Sequence, residues 1–260
     1  MSRIVFASDF HLGMQGVASS AEREKALVAW IYQVAMQADE VFFLGDLFDF
    51  WFEYKRAIPK GFIRFQGALA ALCDQGKSVH LFIGNHDMWM FDYFEKELNL
   101  TIHRSPIQIE RQGKQLLIGH GDGLGPGDHT FKFIRRIFHS PLMISLFRWV
   151  HPDLGIRIAH AWSQSSRESH REVYAYKGPK QEYLLQYCEE YIQVHPEIDY
   201  LIFGHRHLVI DYVLSNGHSR YINTGDWLRF HSYGILEQGK LILRSFNSDS
   251  LPTVNNDTPY

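Results

Sequence analysis

The chain has 260 residues, 45% of them hydrophobic and 21% charged, with a formal net charge of −3. That length allows one large domain, or a domain with an insertion, and the charge implies no general affinity for nucleic acid. No apolar run approaches the roughly 20 residues that a membrane-spanning helix needs; the richest, VFFLGDLFDFWF, is interrupted by Asp46 and Asp49. The start, MSRIVFASDF, is strand-like and lacks the apolar region of a secretory signal. Cys73 and Cys188 both fall in helical patterns, so reduced, buried thiols and an intracellular setting are expected.

RIVFAS reads as the first strand. SSAEREKALVAWIYQVAMQA follows as a helix, with Ser19 and Glu22 spaced for a capping box and Leu27, Trp30, Ile31 and Val34 on one face. EVFFL is the next strand, and the helix around FIRFQGALAALCDQG ends at Gly76. SVHLFI, KQLLI and DYLIF continue the strands. After residue 208 only strands and turns follow (LVIDYVL, SRYIN, YGILE, KLILRSF), and LPTVNNDTPY reads as a loose tail. The order predicts an α/β fold, a layered β-sandwich flanked by helices. Residues 123–199 carry a helical period rich in aromatics and arginine, ending in KQEYLLQYCEEYIQVH. The expected organisation is therefore a core of residues 1–122 and 200–250, a helical cap insertion with its return helix at 123–199, and a tail at 251–260.

Each strand in the series stops at the same punctuation. FASDFH presents Asp9 and His11; FFLGDLFD presents Asp46 and Asp49; LFIGNHD presents Asn85, His86 and Asp87; LLIGHGD presents His120 and Asp122; LIFGHRH presents His205 and His207. Singly these have ordinary explanations, Asp9 as a helix cap and Asn85 as a turn residue. His103, His139 and His195 read as surface or packing residues. Together the five strand ends are another matter, because ligands collect at the carboxyl ends of strands in open α/β sheets. Asp, Asn and His without Cys suit Mn²⁺, Fe²⁺ or Zn²⁺ rather than thiolate-bound zinc. Asp9, His11, Asp46, Asn85, His120, His205 and His207 are too many for one catalytic ion and fit two sharing a carboxylate.

DFH, GDLFD, GNHD, GHGD and GHRH, in that order between residues 9 and 207, resemble the signature of the calcineurin-like metallophosphoesterases. The resemblance implies two divalent ions, Mn²⁺ first with Fe²⁺ or Zn²⁺ as alternatives, and attack of water on phosphorus. By it, Asp9, His11 and His207 hold one ion, Asn85, His120 and His205 the other, and Asp46 bridges. His86 then stabilises charge or protonates the leaving oxygen, oriented by Asp49.

The insertion points to the substrate. Between Asp128 and Lys180 it has nine Lys/Arg against four Asp/Glu, beside an excess of apolar residues such as Phe131, Leu142, Leu146 and Trp149. Part of this is a helical pair packing on itself; a surface both apolar and cationic also suits an anionic lipid. With HSP at 139–141 and RIAHAWSQSSRESH at 157–170, the segment is similar to the cap of the UDP-2,3-diacylglucosamine pyrophosphohydrolases of lipid A synthesis. That family implies hydrolysis of a nucleotide-linked acylated sugar to UMP and the acylated sugar 1-phosphate, in the cytoplasm and peripherally on the cytoplasmic membrane. Substrate contacts then fall on Asn85, His86, Asp128, Arg157, Ser166, Arg167, His170 and His205. His86, Asp49, His170 and Val173 depart from the commoner Arg, Glu, Asn and Lys of that family, with Lys177 a substitute for the last. The alternatives are a metallophosphoesterase of another substrate (nucleotide, phospholipid or phosphoprotein) and, last, a non-catalytic scaffold.

Overall fold

The computed structural model describes residues 2–14, 19–127, 129–169 and 175–259. In chain order, β1 (Arg3–Ala7), α1 (Ser20–Gln33), β2 (Glu40–Phe43), α2 (Ile63–Asp74), β3 (Ser78–Phe82), α3 (Tyr93–Leu98) and β4 (Thr101–His103) build the first half. Then come β5 (Ile107–Arg111) and β6 (Lys114–Ile118), and the helices α4 (His129–Phe138), α5 (Pro141–Phe147), α6 (Pro152–Ser169) and α7 (Tyr183–Val194). The chain closes with β7 (Tyr200–Phe203), β8 (Val209–Val213), β9 (Arg220–Thr224), β10 (Ser232–Glu237) and β11 (Lys240–Ser245).

Two mixed sheets result. One runs β11-β10-β1-β2-β3-β4, the other β5-β6-β7-β9-β8. In the first, β1 to β4 are parallel; in the second, β6, β7 and β9 are. Their facing sides enclose Ile4, Phe6, Phe42, Phe82, Leu116, Ile118, Ile202 and Ile222. The outer side of the first sheet buries Trp30, Leu69 and Phe94 from α1, α2 and α3. The outer side of the second meets α7 through Leu184, Leu185, Cys188 and Ile192. Strands covered on both faces need continuous apolar runs, which is why FFL and LIF do not alternate. This is the expected layered α/β sandwich.

Local signals explain the helix ends. Ser19 and Glu22 make both bonds of a capping box at the start of α1, and Gly76 follows α2 with a positive φ of 73°. The short β4 and β5, and α3, were not expected. β5 alternates half-buried and exposed residues at a sheet edge, so its apolar pattern is weak. Two expectations need correction. Cys188 is buried and free, but Cys73 is only half-buried, on the flank of α2. The segment from residue 251 is not loose: Val254 bridges Ile210, accepts from the Asp211 amide at 2.9 Å and donates to the Val209 carbonyl at 2.8 Å. It satisfies backbone groups along the outer edge of β8.

α4, α5 and α6 pack over the loops after β2 and β3. Phe138, Ile144, Phe147 and Ile156 meet Phe50, Phe52 and Trp89, and the Trp89 indole donates to the Phe138 carbonyl at 3.0 Å.

Candidate dinuclear metal centre

The loops after β1 and β2 run side by side beyond their strands, the Asp9, His11 and Leu12 amides donating to the carbonyls of Gly45, Asp46 and Leu47 at 3.0–3.1 Å. Two glycines permit the close approach: a Cβ on Gly84 would stand 2.5 Å from the Asp46 amide nitrogen, and one on Gly204 2.6 Å from Asp9 Oδ2. Asp9, His11, Asp46, His205 and His207 all adopt left-handed backbone, with φ of 58°, 43°, 52°, 68° and 51°. That region costs a non-glycine residue of order 1–3 kcal/mol and persists where surrounding bonds over-determine it. Its concentration on these residues marks them as a functional set.

The side chains converge in overlapping groups, Asp9–His11–His207, His11–Asp46–His86 and Asp46–His120–His205. Asp46 is shared: Oδ2 lies 3.3 Å from His120 Nε2 and 3.7 Å from His11 Nε2, while Oδ1 accepts from the His86 amide at 2.9 Å. His207 Nε2 is 3.5 Å from Asp9 Oδ1. Asn85 Oδ1 joins the second group, 3.3 Å from His120 Nε2. All seven expected ligands thus come together, from both sheets. His86 and Asp49 adjoin them. His86 Nδ1 is 3.1 Å from the Asp49 carbonyl and 3.7 Å from its carboxylate, so the backbone of Asp49 makes the nearer contact.

The donor set fits divalent ions. Asp9 Oδ1 and both ring nitrogens of His11 are buried without a hydrogen-bond partner, an expensive arrangement unless a cation meets them. The charges agree. Burial opposes ionisation of Asp9, yet His207 and His11 bring its carboxyl down to about 2. Burial likewise disfavours a charged His120, but Asp46, then Asp9 and Asp122, raise it to about 10. Burial lowers His11 and His205.

Supporting residues fix the rings. His120 Nδ1 donates to the Leu44 carbonyl at 2.7 Å, leaving Nε2 toward Asn85 and Asp46. His207 Nδ1 lies 3.3 Å from Asp226 Oδ2, and that carboxylate also receives the Arg229 side chain at 3.0 Å. Asp87 ties the loops together, accepting from the Gly84 and Leu47 amides at 2.7 Å; burial and then Asp46 push its carboxyl up to about 7. Asp226 was not anticipated, although INTGDW repeats the strand-then-Gly-Asp pattern of the other strand ends.

Of the expected substrate contacts on the insertion, Arg157 lies on α6 and lines a cleft of about 310 Å³. Leu12, Phe50, Pro59, Phe62 and Ile156 line it too, together with Lys60 and Asp153. Leu12 and Phe50 follow His11 and Asp49 directly, so the cleft adjoins the metal-ligand loops. Ser166 and Arg167 belong to the last turns of α6; Asp128, His170 and Val173 lie outside the described residues. At the base of α4, the Arg135 guanidinium pairs with Asp122 at 2.6 Å.

Two sheets presenting Asp, Asn and His at strand ends, beneath a helical cap, define a metal-dependent phosphoesterase architecture. Residues 2–209 match the Calcineurin-like phosphoesterase family, and the chain belongs to it. A UDP-2,3-diacylglucosamine hydrolase of Porphyromonas gingivalis is 37% identical over 94% of this chain and 97% of its own length. Another UDP-2,3-diacylglucosamine hydrolase, from Yersinia pseudotuberculosis, is 27% identical over 78% of this chain and 81% of its own. Among solved structures, the E. coli phosphoesterase Yfce is 16% identical with a TM-score of 0.47, over 95% of each chain.

Proposed function

We propose that this protein hydrolyses the pyrophosphate bond of UDP-2,3-diacylglucosamine, giving UMP and 2,3-diacylglucosamine 1-phosphate, in lipid A biosynthesis. The observation that carries the reading is the 37% identity to the P. gingivalis hydrolase over nearly the whole of both chains. The apolar cleft with Lys60 and Arg157 beside the ligand loops supports it, since the substrate joins acyl chains to a diphosphate.

In this reading Asp9, His11 and His207 hold one divalent ion, Asn85, His120 and His205 a second, and Asp46 serves both; Mn²⁺ is the first choice. When bound, such ions supply positive charge at the phosphoryl oxygens and a more acidic water. The chain does the rest. Leu44 and Asp226 hold His120 and His207 with Nε2 inward. With His86 Nδ1 engaged by the Asp49 carbonyl, Nε2 is the atom that delivers a proton to the leaving phosphate oxygen. Arg157, with Asp128, Ser166, Arg167 and His170, orients the sugar diphosphate, and the apolar cap excludes water from the reacting bond.

The same reading places the protein in the cytoplasm, peripheral on the membrane. No described helix is long and apolar enough to cross a membrane. On the cap, however, Leu142, Leu146, Leu154 and Ile158 are at least half exposed and Trp149 is 89% exposed.

The test is UMP release from UDP-2,3-diacylglucosamine by the Mn²⁺-loaded protein. Release that is lost on chelation and in folded His120→Ala is expected. Turnover of an aryl phosphodiester without UMP release would keep the metal chemistry and retire the substrate.

A further inference from the structure

The loop after β7 sets two metal-ligand candidates around one residue, Arg206, which has a different surrounding. Arg206 is 5% exposed and its guanidinium forks onto Glu182, itself 2% exposed. Nε lies 2.8 and 3.0 Å from the two carboxylate oxygens and Nη2 2.9 Å from Oε2. The Tyr183 ring lies 5.3 Å from the guanidinium carbon, and Leu184 and Leu208, which flank the pair in sequence, belong to a buried apolar cluster with Cys188 and Tyr221.

A buried ion pair of this kind is poorly explained by stability, because replacing both charges with apolar groups is often neutral or favourable. The backbone gives a better reason for it. Arg206 donates its amide to the Gly204 carbonyl at 2.8 Å, and His205 and His207 on either side are both left-handed. This tight turn sends His205 toward Asp46 and His120, and His207 toward Asp9 and His11. Rotation at the middle residue would misdirect both imidazoles. Glu182 supplies a fixed point outside the loop cluster, at the N-cap of α7, the helix that brings the chain back from the cap.

We propose that Glu182 and Arg206 are a positioning pair that keeps His205 and His207 each on its own metal ion, so that losing the pair weakens both ion sites. The proposal rests on the ligand assignment made above and not on the identity of the substrate.

Metal-free wild type, Glu182→Gln/Arg206→Met and Arg206→Lys are titrated with Mn²⁺ by calorimetry, and their melting temperatures are recorded. Arg206→Met alone would strand a buried carboxylate, so the double variant carries the test. The expected result is a double variant that melts near wild type yet binds both Mn²⁺ ions about ten- to a hundredfold more weakly, the usual consequence of losing support behind metal ligands. Arg206→Lys, which keeps the charge without the fork, is expected to lie between the two. Wild-type affinity for both ions in the double variant overturns the proposal; should that variant not fold, wild-type affinity in Arg206→Lys does so. A wild type that binds no Mn²⁺ overturns the proposal together with the ligand assignment, and UMP release tests the substrate separately.

Discussion

Asp226 acts on the site through one imidazole, so its removal should be felt unequally. Asp226→Asn keeps a group able to accept from the Leu228 and Arg229 amides but gives up the charge behind His207 Nδ1. Affinity for the ion on Asp9, His11 and His207 should fall about ten- to a hundredfold, the other ion being spared. Mn²⁺ titration reads this directly, and equal loss at both sites would count against it. A second residue sets an acid limit. Burial, then His80 against its ring at 3.0 Å, lowers His103 from 6.5 to about 4, with Glu95 pulling weakly the other way. The unfolded chain therefore takes up a proton near 6.5 that the folded chain refuses until about 4, and stability must fall as pH drops across that window. Glu40 loses its contribution lower down: burial opposes its charge, but His80 and Arg111 bring it from 4.5 to about 2. His103→Gln should lose less melting temperature than wild type between pH 6.5 and 4.5. An identical loss in both would sink the assignment. At this scale the ligands were readable because each follows an apolar run directly. Glu182 was not, since it pairs with a residue 24 positions away and carries no local pattern; Asp226 follows a strand and a glycine as the ligands do, but it acts only through His207.

Among the elements, α6 does two things. Gly155, Ile156 and Ala159 face the core, Gly155 lying so close to Tyr54 that a Cβ there would stand 2.9 Å from its hydroxyl, while Arg157 turns to the cleft. A substitution at Arg157 should therefore change substrate binding without undocking the helix. Loss of one charged hydrogen bond to a diphosphate is worth about 1.5–3 kcal/mol, so Arg157→Ala should raise KM about tenfold or more while kcat changes less. Steady-state kinetics with both constants unchanged would mean that the diphosphate does not reach this cleft. The long helices were legible from their 3.6-residue period and their caps. β4 and β5 were not: three residues cannot show a period, and an edge strand that is half polar reads as a loop.

The whole molecule combines a two-sheet sandwich with helices α4 to α6, on which several large apolar side chains are exposed. Asp9, Asp46 and Asn85 follow strands of one sheet, His120, His205 and His207 strands of the other. No single motif is a site until both sheets have packed, and only the ordered set of motifs, never one alone, carried that information in the sequence. In the peripheral reading proposed above, the exposed Leu142, Leu146, Trp149, Leu154 and Ile158, together with the exposed Arg136 and Arg148, would meet an anionic bilayer surface. Seating Leu146 and Trp149 in a bilayer is worth about 1.5–3 kcal/mol each. Leu146→Glu/Trp149→Glu should therefore weaken binding to phosphatidylglycerol vesicles at least about tenfold, with hydrolysis of a short-chain substrate retained. Equal co-sedimentation of variant and wild type would remove the bilayer from the account.

The strand-like stretch around Val254 has a consequence of another kind. By bonding along β8 it closes one rim of the second sheet, whose backbone amides and carbonyls would otherwise be open to any passing chain. Open rims are templates for aggregation. A version lacking residues 251–259 should keep its chemistry when dilute but self-associate as it is concentrated, which light scattering would record as particle size rising with protein concentration. What reads in the sequence as a loose tail is then part of what keeps copies of the protein apart.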